Sequence, residues 1–65
     1  MMYVIKVGEY YVKKVETEFG GFIGNIVLSK EATTPYSLEG AERIAKLLNG
    51  EVKEFNTVIF PNHYE

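Results

Sequence analysis

Two short runs rich in β-branched and aromatic residues open the chain, Tyr3-Val4-Ile5-Lys6-Val7 and Tyr10-Tyr11-Val12-Lys13-Lys14-Val15, and Gly8-Glu9 separates them. Such a pair reads as a β-hairpin, and glycine at the first central position suits a two-residue type II′ turn, which needs positive φ there. The turn sets a register in which Val7 faces Tyr10, Ile5 faces Val12 and Tyr3 faces Lys14. Val4, Lys6, Tyr11, Lys13 and Val15 then point to the opposite face of the sheet. The polar, glycine-containing stretch Glu16 to Gly21 interrupts the pattern. Phe22 to Leu28 resumes it as a third strand, with Phe22, Ile26 and Leu28 on one face and Ile23, Asn25 and Val27 on the other.

Lys30 to Pro35 is a connector, and Pro35 biases Thr34 away from helical geometry, so a helix begins after it. Ser37 is the natural N-cap, and Tyr36 before it can staple onto Ala41. Ala41, Ile44, Ala45 and Leu48 recur at helical spacing. Glu39 with Arg43, and Glu42 with Lys46, sit one turn apart on the outer surface in the favourable order. Asn49-Gly50 supplies a left-handed stop. Val52 to Phe60 reads as a fourth strand, ended by Pro61.

The order is β-β-β-α-β, an α+β fold in one domain over residues 1–65. If the helix is the return leg after the third strand, the fourth runs parallel beside the first. The expectation is a four-stranded mixed sheet of order 3-2-1-4, with a right-handed crossover and the helix on one face.

Composition narrows the function classes. Hydrophobic residues are 46% and charged residues 25%, the make-up of an ordinary globular protein. Cys is absent, which excludes a disulfide framework and a Cys-based zinc site. No apolar run approaches the roughly 20 residues needed to span a bilayer, and Met1 to Val7 lacks the features of a signal peptide, so a cytoplasmic, membrane-free location is expected. Net charge is −2. That is the wrong sign for broad phosphate-backbone binding, and nucleic acid is not the expected partner.

Catalytic chemistry has little to work with. His63, the only histidine, lies in the terminal Pro61-Asn62-His63-Tyr64-Glu65 segment without further ligands at metal-site spacing. Ser29 and Ser37 have no histidine nearby in sequence, and the acidic residues are scattered, so neither a catalytic set, a metal site nor a cofactor is expected. Phe19-Gly20-Gly21-Phe22-Ile23-Gly24 joins two strands, whereas a dinucleotide loop opens a helix. Five tyrosines and four phenylalanines are more informative. Tyr3, Tyr10, Phe22 and Tyr36 are assigned to the core, while Tyr11, Phe19 and Tyr64 are harder to bury. Exposed aromatics near Lys13, Lys14 and Arg43 could stack a base and meet a phosphate; snorkelling lysines and half-buried tyrosines give the same pattern. The candidate ligand-binding residues are Tyr11, Lys13, Phe19 and Arg43.

Tyr3-Val4-Ile5-Lys6, Tyr10-Tyr11-Val12, Ile26-Val27-Leu28-Ser29-Lys30 and Tyr36 to Glu42 together resemble small uncharacterised proteins carried by phages and prophages of Gram-positive bacteria. In these a "YVIK" start and a "YYV" strand precede a helix of the form S-x-E-E-A-x-x-x-A. The resemblance covers residues 3 to about 52, and Gly40 departs from it where an acidic residue is usual. It implies a phage accessory protein in the cytoplasm of an infected host. Small non-catalytic phage proteins act by occupying a target, which here means sequestering a nucleotide-derived immune signal or, alternatively, inhibiting or assembling a host or phage protein.

One helix covers one side of a four-stranded sheet. The other side would carry Val4, Tyr11, Val15, Ile23 and Val27, an apolar face expected to bury itself against a second copy as a homodimer.

Overall fold

The hairpin turn forms as the glycine requires: Gly8 has φ of 62° and Glu9 has no positive φ. The structure is a computed structural model that describes residues 1–58. Ile59 and Phe60, read as the end of the fourth strand, and His63 and Tyr64 lie outside the described residues. The elements are β1 (Tyr3–Val7), β2 (Tyr10–Thr17), β3 (Ile23–Ser29), α1 (Leu38–Leu48) and β4 (Glu51–Glu54), followed by a 3-10 turn over Phe55–Thr57. They build one four-stranded sheet in the order β3-β2-β1-β4, with one helix, as the sequence leads one to expect. The fourth strand is shorter than expected and ends at Glu54.

The sheet is antiparallel throughout, not mixed. β4 runs against β1, pairing Tyr3 with Glu54, Val4 with Lys53, Ile5 with Val52 and Lys6 with Glu51. The cause lies in the connector between β3 and α1. β1 and β2 pair only next to their turn, Val7 with Tyr10 and Lys6 with Tyr11. Beyond that point they fork, and the connector fills the fork. Thr34 N–H donates to the Val12 carbonyl at 3.2 Å, and the Thr33 hydroxyl donates to the same oxygen at 2.8 Å. The Thr34 hydroxyl donates to the Lys13 carbonyl. Tyr36 and Tyr3 then exchange backbone hydrogen bonds of 2.7 and 2.8 Å as an antiparallel bridge. About eight extended residues reach ~26 Å, enough to run the length of the sheet. The connector is therefore the return leg. The helix climbs back beside it, and β4 must descend.

The helix obeys its sequence signals. The Ser37 hydroxyl accepts the Gly40 N–H at 3.2 Å, and Asn49 closes the helix in the left-handed region with φ of 56°, its N–H bonded to the Ala45 carbonyl. Ala41, Ile44 and Ala45 are buried on Ile5 and Val12, with Tyr3, Val7, Tyr36, Leu48 and Val52 packed around them. Gly50 lies so close to β1 that a Cβ there would stand 2.9 Å from the Lys6 carbonyl oxygen.

Two irregularities between β2 and β3 redistribute the faces. Val12 opposes Leu28 and Lys14 opposes Val27, so Lys13 is an extra residue on β2; Glu16 opposes Asn25 and Thr17 opposes Ile23, so Gly24 is an extra residue on β3. Each bulge reverses the in-out alternation beyond it. Val15 and Ile23 consequently pack toward the helix-side core, not on the opposite face where strict alternation puts them. Val4 is fully buried inside the protomer and lies outside the cluster beneath the helix. Of the five residues expected at a dimer face, Tyr11 and Val27 alone keep the expected side with partial exposure. The expected contiguous apolar face is thus broken up. Phe22 and Tyr10, assigned to the core, are 73% and 43% exposed. Lys30 Nζ stands 5.4 Å from the Tyr10 ring centre, an exposed cation–π contact.

Two expectations follow from this packing. Ile44→Ala should cost about 2–5 kcal/mol in urea melts, and Arg43→Ala, on the exposed side of the same helix, under about 0.5 kcal/mol. Thr33→Val keeps shape but removes a hydroxyl donor from the fork, and the same melts should show a loss of about 0.5–1.5 kcal/mol.

Candidate functional site

The helix lies mainly over β1 and β4 and meets Val12 of β2, while the far ends of β2 and β3 extend beside it as a two-stranded arm. The molecule is elongated as a result, 40 × 20 × 18 Å. Between the arm and the helix is a groove of about 330 Å³ lined by Ile23, Arg43, Lys46 and Leu47. A hollow of about 160 Å³ adjoins it, lined by Val15, Thr17, Ile23, Gly40, Arg43 and Ile44. Ile23 and Arg43 line both, so the two depressions adjoin beside the helix.

Its floor is apolar and its rim is cationic. Ile23, Val15 and Ile44 face it because the bulge at Lys13 turns Val15 inward and that at Gly24 turns Ile23 inward. Leu47 stands off the buried stripe of α1 and is 64% exposed. Arg43 and Lys46 are exposed and make no ion pair among the described residues; the helical pairs expected with Glu39 and Glu42 are not formed. Lys46 lies in the last turn of the helix, where the carbonyl ends favour positive charge, and Arg43 lies one turn earlier, at the middle of the helix. Gly40 lines the hollow without a side chain of its own.

The four candidate ligand residues are not gathered at one place. Arg43 lines the groove. Tyr11, half-buried, pairs with Lys6 and Ser29 and alternates with the core residue Val12, which puts it on the side of the sheet away from the helix. Lys13 is exposed at the β2 bulge. Phe19 is fully exposed at the tip of the arm, where Glu18 N–H donates to the Phe22 carbonyl and Gly20 and Gly21 turn the chain with φ of 89° and 84°. Sequence reasoning missed Ile23, Lys46 and Leu47. Leu47 carried a signal: it is a leucine adjacent to, but outside, the stripe of Ala41, Ile44, Ala45 and Leu48.

Both serines have structural work. Ser37 caps the helix, and the Ser29 hydroxyl accepts the Glu31 N–H at 3.0 Å. Among the described residues no group of three His, Cys, Asp or Glu side chains could hold a metal ion, and no helix is long and apolar enough to cross a membrane. In comparisons with known proteins, no family model, curated protein or solved structure matches the chain.

On the arm's other face Glu16 accepts Lys14 Nζ at 3.0 Å and Asn25 Nδ2 at 3.3 Å. These hydrogen bonds, that from Lys14 foremost, hold the Glu16 carboxyl below its ordinary value. A lowered folded-state pKa means that the carboxylate's contribution is complete above the ordinary glutamate range and is lost as pH falls through the lowered value. An NMR titration should find Glu16 as a low-titrating carboxylate, and Lys14→Ala should move it back up.

Proposed function

We propose that the chain is a non-catalytic binding protein, a phage accessory factor that sequesters a small nucleotide-like signal in the groove between α1 and the β2–β3 arm. One observation carries this reading: Arg43 and Lys46, without ion-pair partners among the described residues, flank an apolar floor formed by Ile23 and Leu47. A phosphate would meet the two cations, and a base or other flat apolar group would lie over the aliphatic floor. At about 330 Å³ the groove falls at the lower end of the ~300–1,000 Å³ typical of small-ligand clefts. The resemblance to phage proteins supplies the setting, the cytoplasm of an infected bacterium. The site has moved from the expected Tyr11, Lys13, Phe19 and Arg43 set to the one of these residues that lies at a concavity.

Capture of a protein is the second reading, favoured by Phe19 and Phe22, which stand exposed together at the tip of the arm. Exposed aromatic pairs of this kind anchor protein interfaces.

Calorimetry against mono-, di- and cyclic nucleotides tests the first reading. Binding should weaken at least tenfold in Arg43→Ala and in Lys46→Ala, with melting unchanged, and should weaken further with added salt. No heat from any nucleotide overturns it. Native mass spectrometry of protein purified from infected cells then separates the two readings, a retained small molecule supporting sequestration and a co-purifying polypeptide supporting protein capture.

A further inference from the structure

Gly40 weakens the first turn of α1, and the turn itself does not require it. Ser37 is the N-cap, so Gly40 is the third helical residue, where glutamate or glutamine reaches back to the N-cap amide and completes a capping box. Glycine forgoes that bond and is the poorest helix former after proline. The backbone does not call for glycine either, since Gly40 has no positive φ. A Cβ built there would stand 3.4 Å from Ser37 Oγ and 3.9 Å from Tyr36 Cβ, ordinary contact distances. Gly50 is the contrast, where the Lys6 carbonyl oxygen bars a Cβ at 2.9 Å. A residue that lowers local stability without a local reason points to function at its position.

The helix face on which Gly40 lies supplies the reason. Gly40, Ile44 and Leu47 follow at steps of four and three residues, so they stand in one row along the helix. At one end of the row Gly40 lines the hollow with Val15, Thr17, Ile23 and Ile44. At the other end Lys46 and Leu47 line the groove, and Arg43 stands between the two spaces and lines both. Among the described residues no carboxylate lines either space.

We infer that Gly40 sets the orientation and selectivity of the ligand: its missing side chain keeps the hollow open for the base of a nucleotide whose phosphate lies at Arg43 and Lys46. This rests on the nucleotide-like reading of the groove and deepens it. The hollow has a volume of about 160 Å³, and a long side chain at Gly40 would take space from it. Charge and burial fix which end of the ligand goes where. A phosphate gains where two cations stand together, and a base gains where it displaces water from Val15, Ile23 and Ile44. The site therefore distinguishes a phosphate that carries a base from one that does not, and Gly40 is the positioning residue on which that distinction depends.

The test is calorimetry of the full chain with adenosine monophosphate and with ribose monophosphate, which carries the same phosphate without the base, run beside thermal melts. The unsubstituted chain should bind the nucleotide at least tenfold more tightly than the sugar phosphate. Gly40→Gln should melt about 2–8 °C higher, because it completes the capping box and removes a glycine from the helix. In the same variant the nucleotide's advantage should fall below about twofold, since the added side chain takes the space of the base. General damage to the fold would weaken both ligands alike, and the higher melting temperature excludes it. The inference is overturned if Gly40→Gln keeps the nucleotide's advantage, if it melts no higher, or if the unsubstituted chain binds the two probes equally. No heat from adenosine monophosphate overturns it as well; the reading of the groove then stands if another nucleotide binds and falls if none does.

Discussion

The carbonyl of Val12 is the pivot of this fold. It would ordinarily bond across to β1, but it accepts the amide of Thr34 and the hydroxyl of Thr33. With the Tyr3–Tyr36 bridge below, these bonds wedge the connector between β1 and β2. A buried or half-buried backbone acceptor needs a partner, and once β1 and β2 have forked only the connector is there to supply one. The helix must then start beside Tyr3 and run back toward Lys6, β4 must descend antiparallel to β1, and the helix must settle toward the β4 side of the sheet, chiefly over β1 and β4.

The groove follows from that displacement. A central helix would have covered Val15 and Ile23; an off-centre one leaves them along the arm's underside, opposite Gly40, Arg43 and Leu47. The bulges complete the arrangement. Lys13 bends and re-phases β2 at the point where the connector leaves, and its carbonyl is held by the Thr34 hydroxyl. Burial is correspondingly modest: among the described residues the fully buried large side chains are Ile5, Val4 and Val12. A small domain with so short a list gains from any contact that covers its remaining apolar surface.

The local signals were legible in the sequence and the non-local ones were not. Gly8, Ser37 and Asn49 each act through their own backbone geometry, so the turn, the cap and the stop could be placed from single residues. The stripe Ala41, Ile44, Ala45 was set by helical period, and the β3-β2-β1 order followed from short connections; β4 lies beside β1 as expected, but antiparallel and not by the parallel crossover that led to that placement. The direction of β4 was hidden because it depends on hydrogen bonds from Thr33 and Thr34 to residues 21 positions away. Alternation carries no trace of such bonds, although two β-branched residues before Pro35 already favour an extended chain. The bulges at Lys13 and Gly24 were likewise invisible to strict alternation, and they moved Val15 and Ile23 from the expected open face to the groove. Arg43 was the one candidate ligand residue that the fold placed at a concavity.

Amide hydrogen exchange at Thr34 and Tyr36 tests the central structural claim most directly. Both N–H groups are bonded within the fork, to the Val12 and Tyr3 carbonyls. If the connector is wedged there, these two amides exchange as slowly as those of β1 and slow down together, because opening one edge of the fork opens the other. Exchange at the rate of Gly20, in the exposed turn of the arm, would contradict the account, since a connector lying loose on the surface could fix neither the direction of β4 nor the groove.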